Sequence, residues 1–589
     1  TSGIWQSVWM EPVKNVHIEK YTVVPNIDNS TVTVNVVTAG GKTVKAVIAV
    51  KDGDKVVAKV EANTNKNVTI TVPNAKWWSP DSPFLYDLDI ALVEGGKTVD
   101  AVEGYFGMRK ISLGKDGSHT RMFLNNEPLF HIGPLDQGFW PDGIYTAPTD
   151  EALLYDIQIT KQMGFNMIRK HIKIEPRRWY YHCDRLGMLV WQDMPSGTSY
   201  GGVGLDQTQF KKEMTAMIQN LYNSPSIIMW IIFNESQGRH DVETLVRYVK
   251  SLDSSRLVNQ DSQYGVHSTY VGDVWDIPHY PNPACVVCPN KSLVNVCGEY
   301  GGLKYKENGH TWGTGDWGYA TMNSRKELMD TYEQYVSELI KYRDCFGLGG
   351  AVYTQITDVE IEINGLITYD RIVQKVDFER MAQINNRLTQ GTLKKDTIIA
   401  IATEGGEMWK MTTTAPAEGW NTTSFDDSKW STKKSGFGTV GTPNSKMGTT
   451  WNTSDIWIRK TFRLDGANRA LADSLVMLIN HDEDCEIYIN GRLMASFEGH
   501  DNNYSVVDFT AAVKNELVYD ADNLIAIHCH QTTGGQYIDA GIYLLSQDGL
   551  TTSISQVVAD GTPEVNVDTV AKKVTVSGNG FGENTRMEV

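Results

Sequence analysis

A multidomain protein built on a (β/α)8 barrel, flanked by an immunoglobulin-like β-sandwich and a C-terminal β jelly roll, is what three changes of rhythm predict for this 589-residue chain. Residues 12–112 read as short alternating strands parted by turn signals. Residues 113–395 alternate apolar strand runs with helices of 3.6-residue period. Residues 396–546 return to strands. A chain of this length exceeds what one hydrophobic core holds, so several domains are expected.

In the first segment, Val32-Thr-Val-Asn-Val-Val37, Val44-Lys-Ala-Val-Ile-Ala-Val50 and Val68-Thr-Ile-Thr-Val72 alternate apolar and polar positions. Ala39-Gly-Gly41 and Asp52-Gly-Asp54 mark turns between them. About a hundred residues in this style suit an immunoglobulin-like sandwich. In the second segment, four helical stripes stand out: Trp179, Cys183 and Leu186; Phe210, Met214, Met217 and Leu221; Val242, Leu245, Val249 and Leu252; Leu328, Tyr332, Tyr335 and Leu339. Eight strand candidates end near Gly133, Lys170, Asp193, Glu235, Asp261, Tyr280, Glu299 and Asp358. Strands and helices alternating over this length fit a barrel. An open doubly wound sheet is the alternative, but no glycine-rich phosphate loop follows the first strand. In the third segment, Trp457–Phe462, Leu475–Ile479, Cys485–Ile489 and Leu524–His528 are strands of a sandwich or jelly roll.

The bulk numbers narrow the partners. With 54 basic against 71 acidic side chains the formal charge is −17, the wrong sign for nucleic acid, which needs a basic patch. No run of 18 or more apolar residues is present, so no membrane span is expected. There is no signal peptide. Residues 1–11 read as the tail of a domain already under way, and residues 547–589 as the start of a further β-module cut short. The chain therefore reads as a fragment, with its compartment signals elsewhere. Seven cysteines are an odd and sparse set. Cys285, Cys288 and Cys297 lack a second Cys-x-x-Cys at structural-zinc spacing, so buried thiols are the better reading. A Cys285–Cys288 or Cys285–Cys297 disulfide stays open. Nothing calls for a metal or a cofactor.

Barrel chemistry sits where strands end. That face collects His131, Asp136, Arg169, His171, Asp193, Asn234, Glu235, Asp261, His279, Tyr280 and Glu299. Two of them close apolar runs: Glu235 after Ile228-Met-Trp-Ile-Ile-Phe-Asn, and Glu299 in Val296-Cys-Gly-Glu-Tyr-Gly. A buried carboxylate costs several kcal/mol unless it is paired, so packing alone does not explain them. Either alone suits a strand-end ion pair. Together, on strands 4 and 7 facing across the mouth, they suit cleavage of a glycosidic bond, with carboxyls about 5 Å apart for a retaining reaction. One carboxyl must hold a proton and the other must be ionised. Tyr280 and Arg169 are donors for the ionised one, and Asn234 is placed for a sugar hydroxyl. Trp140, Trp312 and Trp317 lie in loops beyond strands 1 and 7, near Asp136, Asp142 and Asp316, and suit stacking on sugar rings as well as anchoring loops. Lys170 is the one strand-end lysine for a Schiff-base alternative.

Phe165-Asn-Met-Ile-Arg169-Lys-His171, Trp230-Ile-Ile-Phe-Asn234-Glu235 and Gly298-Glu299-Tyr-Gly301 resemble three motifs of glycoside hydrolase family 2, in that family's order. The resemblance covers residues 1 to about 395. It implies Glu235 as acid/base, Glu299 as nucleophile, net retention, and an N-terminal jelly roll ahead of residue 12. It implies a secreted or periplasmic exo-β-glycosidase acting on a carbohydrate, with β-galactosidase the first expectation. β-Glucuronidase, β-mannosidase or arabinosidase-like specificity, or a non-catalytic carbohydrate-binding protein, are the alternatives. Asp136, Trp140, Asp193, His171, His279, Trp312 and Tyr353 complete the expected sugar site. Tyr353 stands where the family usually has a tryptophan beneath the sugar, and Lys-His-Ile-Lys-Ile-Glu-Pro replaces the usual run after Arg169. No Asn-x-Lys motif of the glucuronidase kind, which would grip a uronate carboxylate, is seen in the barrel segment, leaving Lys304 and Lys306 as the cations for that role. Residues 396–546 resemble galactose-binding-like jelly rolls through Trp420, Phe425-Asp-Asp-Ser-Lys-Trp430 and Ile487-Tyr-Ile-Asn-Gly491. Residues 563–589 resemble the start of an Ig-like/TIG module.

Overall fold

The computed structural model describes residues 6–117, 119–195, 205–263, 271–285, 292–389, 393–443, 445–547, 564–568 and 573–577. Alternation builds the first sandwich. Val32, Val34 and Val36 point inward along Thr31–Thr38, and Thr33 and Asn35 between them point out. That strand lies in a three-stranded sheet with Ile18–Asn26 and Asn67–Thr71. A four-stranded sheet of Lys55–Asn63, Lys45–Asp52, Tyr86–Glu94 and Lys97–Phe106 faces it. Ile48, Val50, Leu88 and Ile90 fill the space between.

An antiparallel hairpin, Ile111–Asp116 with His119–Leu124, comes before the barrel. Its Met122 and Leu124 pack with Met167, Leu189 and Val294 and form the barrel floor. The first barrel strand thus begins later than residue 113. The eight strands are β1 (His131–Asp136), β2 (Met167–Lys170), β3 (Leu189–Asp193), β4 (Ile227–Ile231), β5 (Leu257–Asn259), β6 (Val274–Asp276), β7 (Val294–Gly301) and β8 (Leu348–Thr354). They pair in parallel in the order 5-4-3-2-1-8-7-6. Asp273, leading into β6, exchanges bonds of 2.8 and 2.7 Å with Val258 of β5 and closes the cylinder. Among the described residues six helices pack outside: α1 (Asp150–Gln162), α2 (Arg177–Leu186), α3 (Gln207–Leu221), α4 (Val242–Leu252), α5 (Arg325–Phe346) and α6 (Phe378–Thr389). Among the described residues no helix follows β5 or β6. Thr149, Asp206 and Ser324 cap α1, α3 and α5 by accepting from first-turn amides. The four predicted stripes face the core, with Leu328, Tyr332, Tyr335 and Leu339 of α5 all buried.

The sandwich is locked to the barrel through Asp184 of α2. Its carboxylate accepts from Ser226 N–H and from Tyr105 O–H, both at 2.8 Å, and its carbonyl accepts from the Trp78 indole at 2.6 Å. All three carboxylate and carbonyl bonds cross element boundaries. Asp184→Ala is expected to destabilise this junction by roughly 2–4 kcal/mol, because two buried donors lose their acceptor. A denaturant titration following the first unfolding transition checks it; a shift of less than about 0.5 kcal/mol would refute it.

The C-terminal segment is a two-sheet sandwich. One sheet includes Leu393–Ile399, Leu475–Asp482, His500–Asp508 and Tyr537–Gln547. The other includes Met408–Thr412, Asp455–Arg463, Asp484–Ile489 and Asp522–His530. Its first sheet packs on α5: Val476, Leu478 and Tyr504 share a core with Tyr342 and Phe346. Lys341 reaches Asp508 at 2.6 Å beside that contact. Glu564–Asp568 and Lys573–Ser577 form a separate hairpin.

Candidate active site

Strand parity decides what reaches the barrel mouth. In β2, Met167 packs inside the cylinder, so Arg169 faces inward as well. The guanidinium is wholly buried, and every face of it is used. It binds Asp193 twice at 3.1 Å, Asn234 Oδ1 at 2.7 Å, and Ser262 Oγ, Gly298 O and Glu299 Oε1 at 3.0 Å each. A buried cation is tolerated only with such pairing. Glu299 stands on β7 where the register with β8 shifts. Its second oxygen accepts from Tyr280 O–H at 2.9 Å, and that phenol also meets Thr354 Oγ1 at 2.6 Å. Burial and the Glu299 charge push the Tyr280 phenol up, so it stays a donor. Asp276 supports the segment from below by accepting Gly298 N–H at 2.7 Å. A Cβ at Gly298 would lie 2.3 Å from the Asp276 oxygens, so only glycine fits there.

Burial pushes the Glu299 carboxyl up to about 7; Arg169 pulls it down, Glu235 repels it and raises it, and Tyr280 pulls it down again. Glu235 is not at a strand end. It sits on a turn beyond β4, with φ of 48° and its N–H donating to Ser262 O at 2.6 Å. Ser236 follows at φ 58°. Two successive non-glycine residues in the left-handed region hold a strained turn, of the kind found at working sites. Asp261 anchors it through Ser236 N and Oγ at 3.2 and 3.0 Å. His171 Nε2 is buried without a hydrogen-bond partner, 3.8 Å from Glu299 Oε1. Burial and then Arg169 push its pKa down to about 3, so the ring is neutral.

The structure therefore gathers Arg169, His171, Asp193, Asn234, Tyr280 and Glu299, with Glu235 close enough to repel Glu299. Asp193 acts through Arg169 and is a positioning residue. Five expected residues have other partners. Leu135 packs inside the barrel, so its neighbour Asp136 faces out and pairs with Lys170 at 2.6 Å. Lys170 also holds Glu175 at 2.8 Å; burial lowers its pKa, but the two carboxylates outweigh that and raise it, which removes the Schiff-base alternative. The His279 ring is tied to Asn282 O at 2.7 Å, and only its backbone N–H reaches β7. Trp140 is buried beneath Arg371, whose guanidinium carbon is 4.0 Å from the ring centre. Trp312 is exposed and stands edge-on to Tyr369 at 5.5 Å. Tyr353 is fully buried against Tyr300 and Tyr332, facing α5 and not the mouth. Cys297 is a buried free thiol, so no Cys285–Cys297 bridge forms; Cys288 lies outside the described residues. Sequence reasoning missed Ser262, Thr354, Gln355 and Glu362. Parity from the outward Tyr353 would have pointed to Thr354; the others are set by loops meeting in space.

Residues 16–109 match the family described as glycosyl hydrolases family 2, and residues 146–281 match its TIM barrel domain. Glu235 falls within the second match and Glu299 beyond it. A putative β-glucuronidase of Formosa agariphila is 30% identical over 254 residues, 41% of this chain and 30% of that protein. A β-galactosidase of Leuconostoc mesenteroides is 27% identical over 255 residues, 42% of this chain and 24% of that one. The chain thus spans about a third or less of the length of these relatives. The fold is similar to that of an FMN-binding β-glucuronidase from Facaelibacterium prausnitzii, with TM-score 0.52 and 17% identity over 90% of this chain and 75% of that one. It is similar also to a β-galacturonidase from Eisenbergiella tayi, with TM-score 0.51 and 18% identity over 64% and 73%. The sandwich and the barrel thus both match glycosyl hydrolases family 2, in chain order.

Proposed function

We propose that this chain carries the active site of a retaining exo-β-glycosidase, with a β-galactoside as the first substrate to test. The observation that carries the reading is the grip on Glu299: a guanidinium on one oxygen and a phenol on the other. Such a clamp aims a carboxylate and favours its ionised form. Glu299 attacks the anomeric carbon, forming the carbon–oxygen bond as the bond to the leaving oxygen breaks. Glu235 gives its proton to that oxygen. It then takes a proton from water, which attacks the anomeric carbon and releases Glu299. Asn234, its amide oriented by Arg169, binds the hydroxyl beside the reacting carbon. The names of the relatives leave β-glucuronide and β-galacturonide as the second reading of the sugar.

A panel of aryl β-glycosides tests the activity, and proton NMR tests the stereochemistry. The β-anomer must appear first from any substrate turned over. First appearance of the α-anomer would overturn the retaining mechanism. Glycan binding with no turnover would favour a non-catalytic carbohydrate-binding protein.

A further inference from the structure

Glu362, on the turn after β8, is a further carboxylate beside this site, close enough to Glu235 to feel its charge. The turn is rigid: Val359 and Glu362 exchange backbone bonds of 3.0 and 2.9 Å. Trp317, from the loop after β7, clamps it by bonding Ile361 O at 2.7 Å and Ile363 N at 3.0 Å. The carboxylate is held by amides. Gln355, directly after β8, donates to Oε2 at 2.8 Å, and Gln137, directly after β1, donates to the same oxygen at 3.3 Å. Gln137 also donates to Gln355 Oε1 at 3.0 Å, and Gln355 to Asn364 Oδ1 at 2.8 Å. Two strand-end glutamines thus present Glu362 without neutralising it, and Oε1 accepts neither bond. Burial pushes the carboxyl up; the two glutamines oppose this, and Glu235 adds its repulsion, which puts the two carboxylates in one field.

We propose that Glu362 is a specificity-determining residue: it accepts hydroxyls of a neutral sugar and keeps uronates out. The inference rests on the hydrolase reading and deepens it. A carboxylate is a strong acceptor for hydroxyl donors, whereas a second carboxylate beside it is repelled. The cations named for that role or lying on neighbouring loops are each drawn to another carboxylate. Lys304 and Lys306, the sequence's candidates for gripping a uronate, both lean on Asp316 at 3.5 and 3.6 Å. Arg239 faces Asp261 at 3.5 Å and Lys375 binds Asp358 at 2.6 Å. The adjoining wall suits a sugar ring. Trp317, 42% exposed, meets Tyr319 at 4.8 Å, and Tyr319 stacks at 3.6 Å on Tyr280, which bonds Glu299.

The test compares kcat/KM for the best neutral aryl β-glycoside of the panel with its C6-carboxylate counterpart. Wild type should favour the neutral sugar by at least about 100-fold, the loss expected from a like-charge clash of several kcal/mol. Glu362→Gln should lose about 10- to 100-fold on the neutral sugar, the range for a hydrogen bond to a charged acceptor. The uronide should not lose rate, so the ratio falls by about tenfold or more. Glu362→Asp, which keeps the charge, should weaken the neutral sugar and still exclude the uronide. A ratio moved by less than about twofold in Glu362→Gln, or a wild type that prefers the uronide, overturns the proposal. If no glycoside is turned over, the hydrolase reading fails by itself. Calorimetric binding of galactose and galacturonate then decides. Galactose preference lost in Glu362→Gln supports the role, while equal binding, galacturonate preference or no binding overturns it.

Discussion

Glu299→Gln is expected to lower turnover by about 10⁴- to 10⁶-fold, the scale seen when a covalent nucleophile is removed, while sugar binding survives. The amide has the shape of the carboxyl. Its oxygen still accepts from Arg169, and its NH2 can donate to the Tyr280 hydroxyl. Arg169 keeps Asp193 as its counter-charge, so the substitution leaves no stranded ion. A folded variant with more than about one-thousandth of wild-type turnover would sink the nucleophile assignment.

The same residue sets a pH dependence whose sign differs between rate and stability. As the proposed nucleophile, Glu299 works ionised, so kcat/KM should fall as pH drops through about 7, where it takes up its proton. Stability runs the other way. The folded pKa lies above the ordinary carboxyl value of 4.5, so the contribution of Glu299 to stability is fully present below that value and is lost as pH rises through about 7. Glu299→Gln should therefore gain stability over wild type between pH 5 and 8, on the order of 2–3 kcal/mol at the upper end. A stability difference independent of pH over that window would show that Glu299 is not held above its ordinary range.

The strands and the clamp were legible because both follow from local rules. Apolar runs marked the eight strands, and polar residues at their ends marked Arg169, Asp193, Asn234 and Glu299. The errors at Asp136 and Tyr353 are errors of parity. Leu135 and Arg169 face the interior, so Asp136 and Lys170 face α2, where they pair. Thr354 meets Tyr280 at the mouth, so Tyr353 faces α5. Alternation by two residues settles these cases, but only once one residue of each strand has been assigned a side. Glu235 stands out in the sequence although it lies beyond β4, since its apolar run continues through Phe233 after the pairing ends. Glu362 carries no comparable signal. Its place depends on Gln137, Gln355 and Trp317, three loops meeting over distances no local pattern records. The aromatic loops failed for the same reason: Trp140 reads as a surface tryptophan until Arg371 is seen to cover it.

Arg169→Met should cost both the fold and the chemistry, and the two losses have one cause. The side chain satisfies Asp193, Asn234, Ser262, Gly298 and Glu299 at once. Methionine fills a similar volume and offers no donor. Asp193 and Glu299 then share a dry barrel interior as like charges, and removing one partner of a buried ion pair costs about 3–5 kcal/mol. The chain has one escape, which is to protonate. Arg169 is the larger of the two influences holding the Glu299 pKa down, so without it that pKa rises above about 7 and the nucleophile is neutral at working pH. The expected signature is a barrel transition destabilised by about 3–5 kcal/mol at pH 8 and partly recovered at pH 5, where the carboxyls are protonated. Activity should be absent at both. Arg169→Lys should not rescue it: an ammonium is a point charge with three donors and cannot fork to Asp193 while reaching Asn234 and Glu299. An Arg169→Lys enzyme within tenfold of wild type would mean that charge alone, and not the fork, holds the nucleophile. An Arg169→Met protein as stable as wild type at pH 8 would mean that the carboxylates of this site already share a proton in the native enzyme.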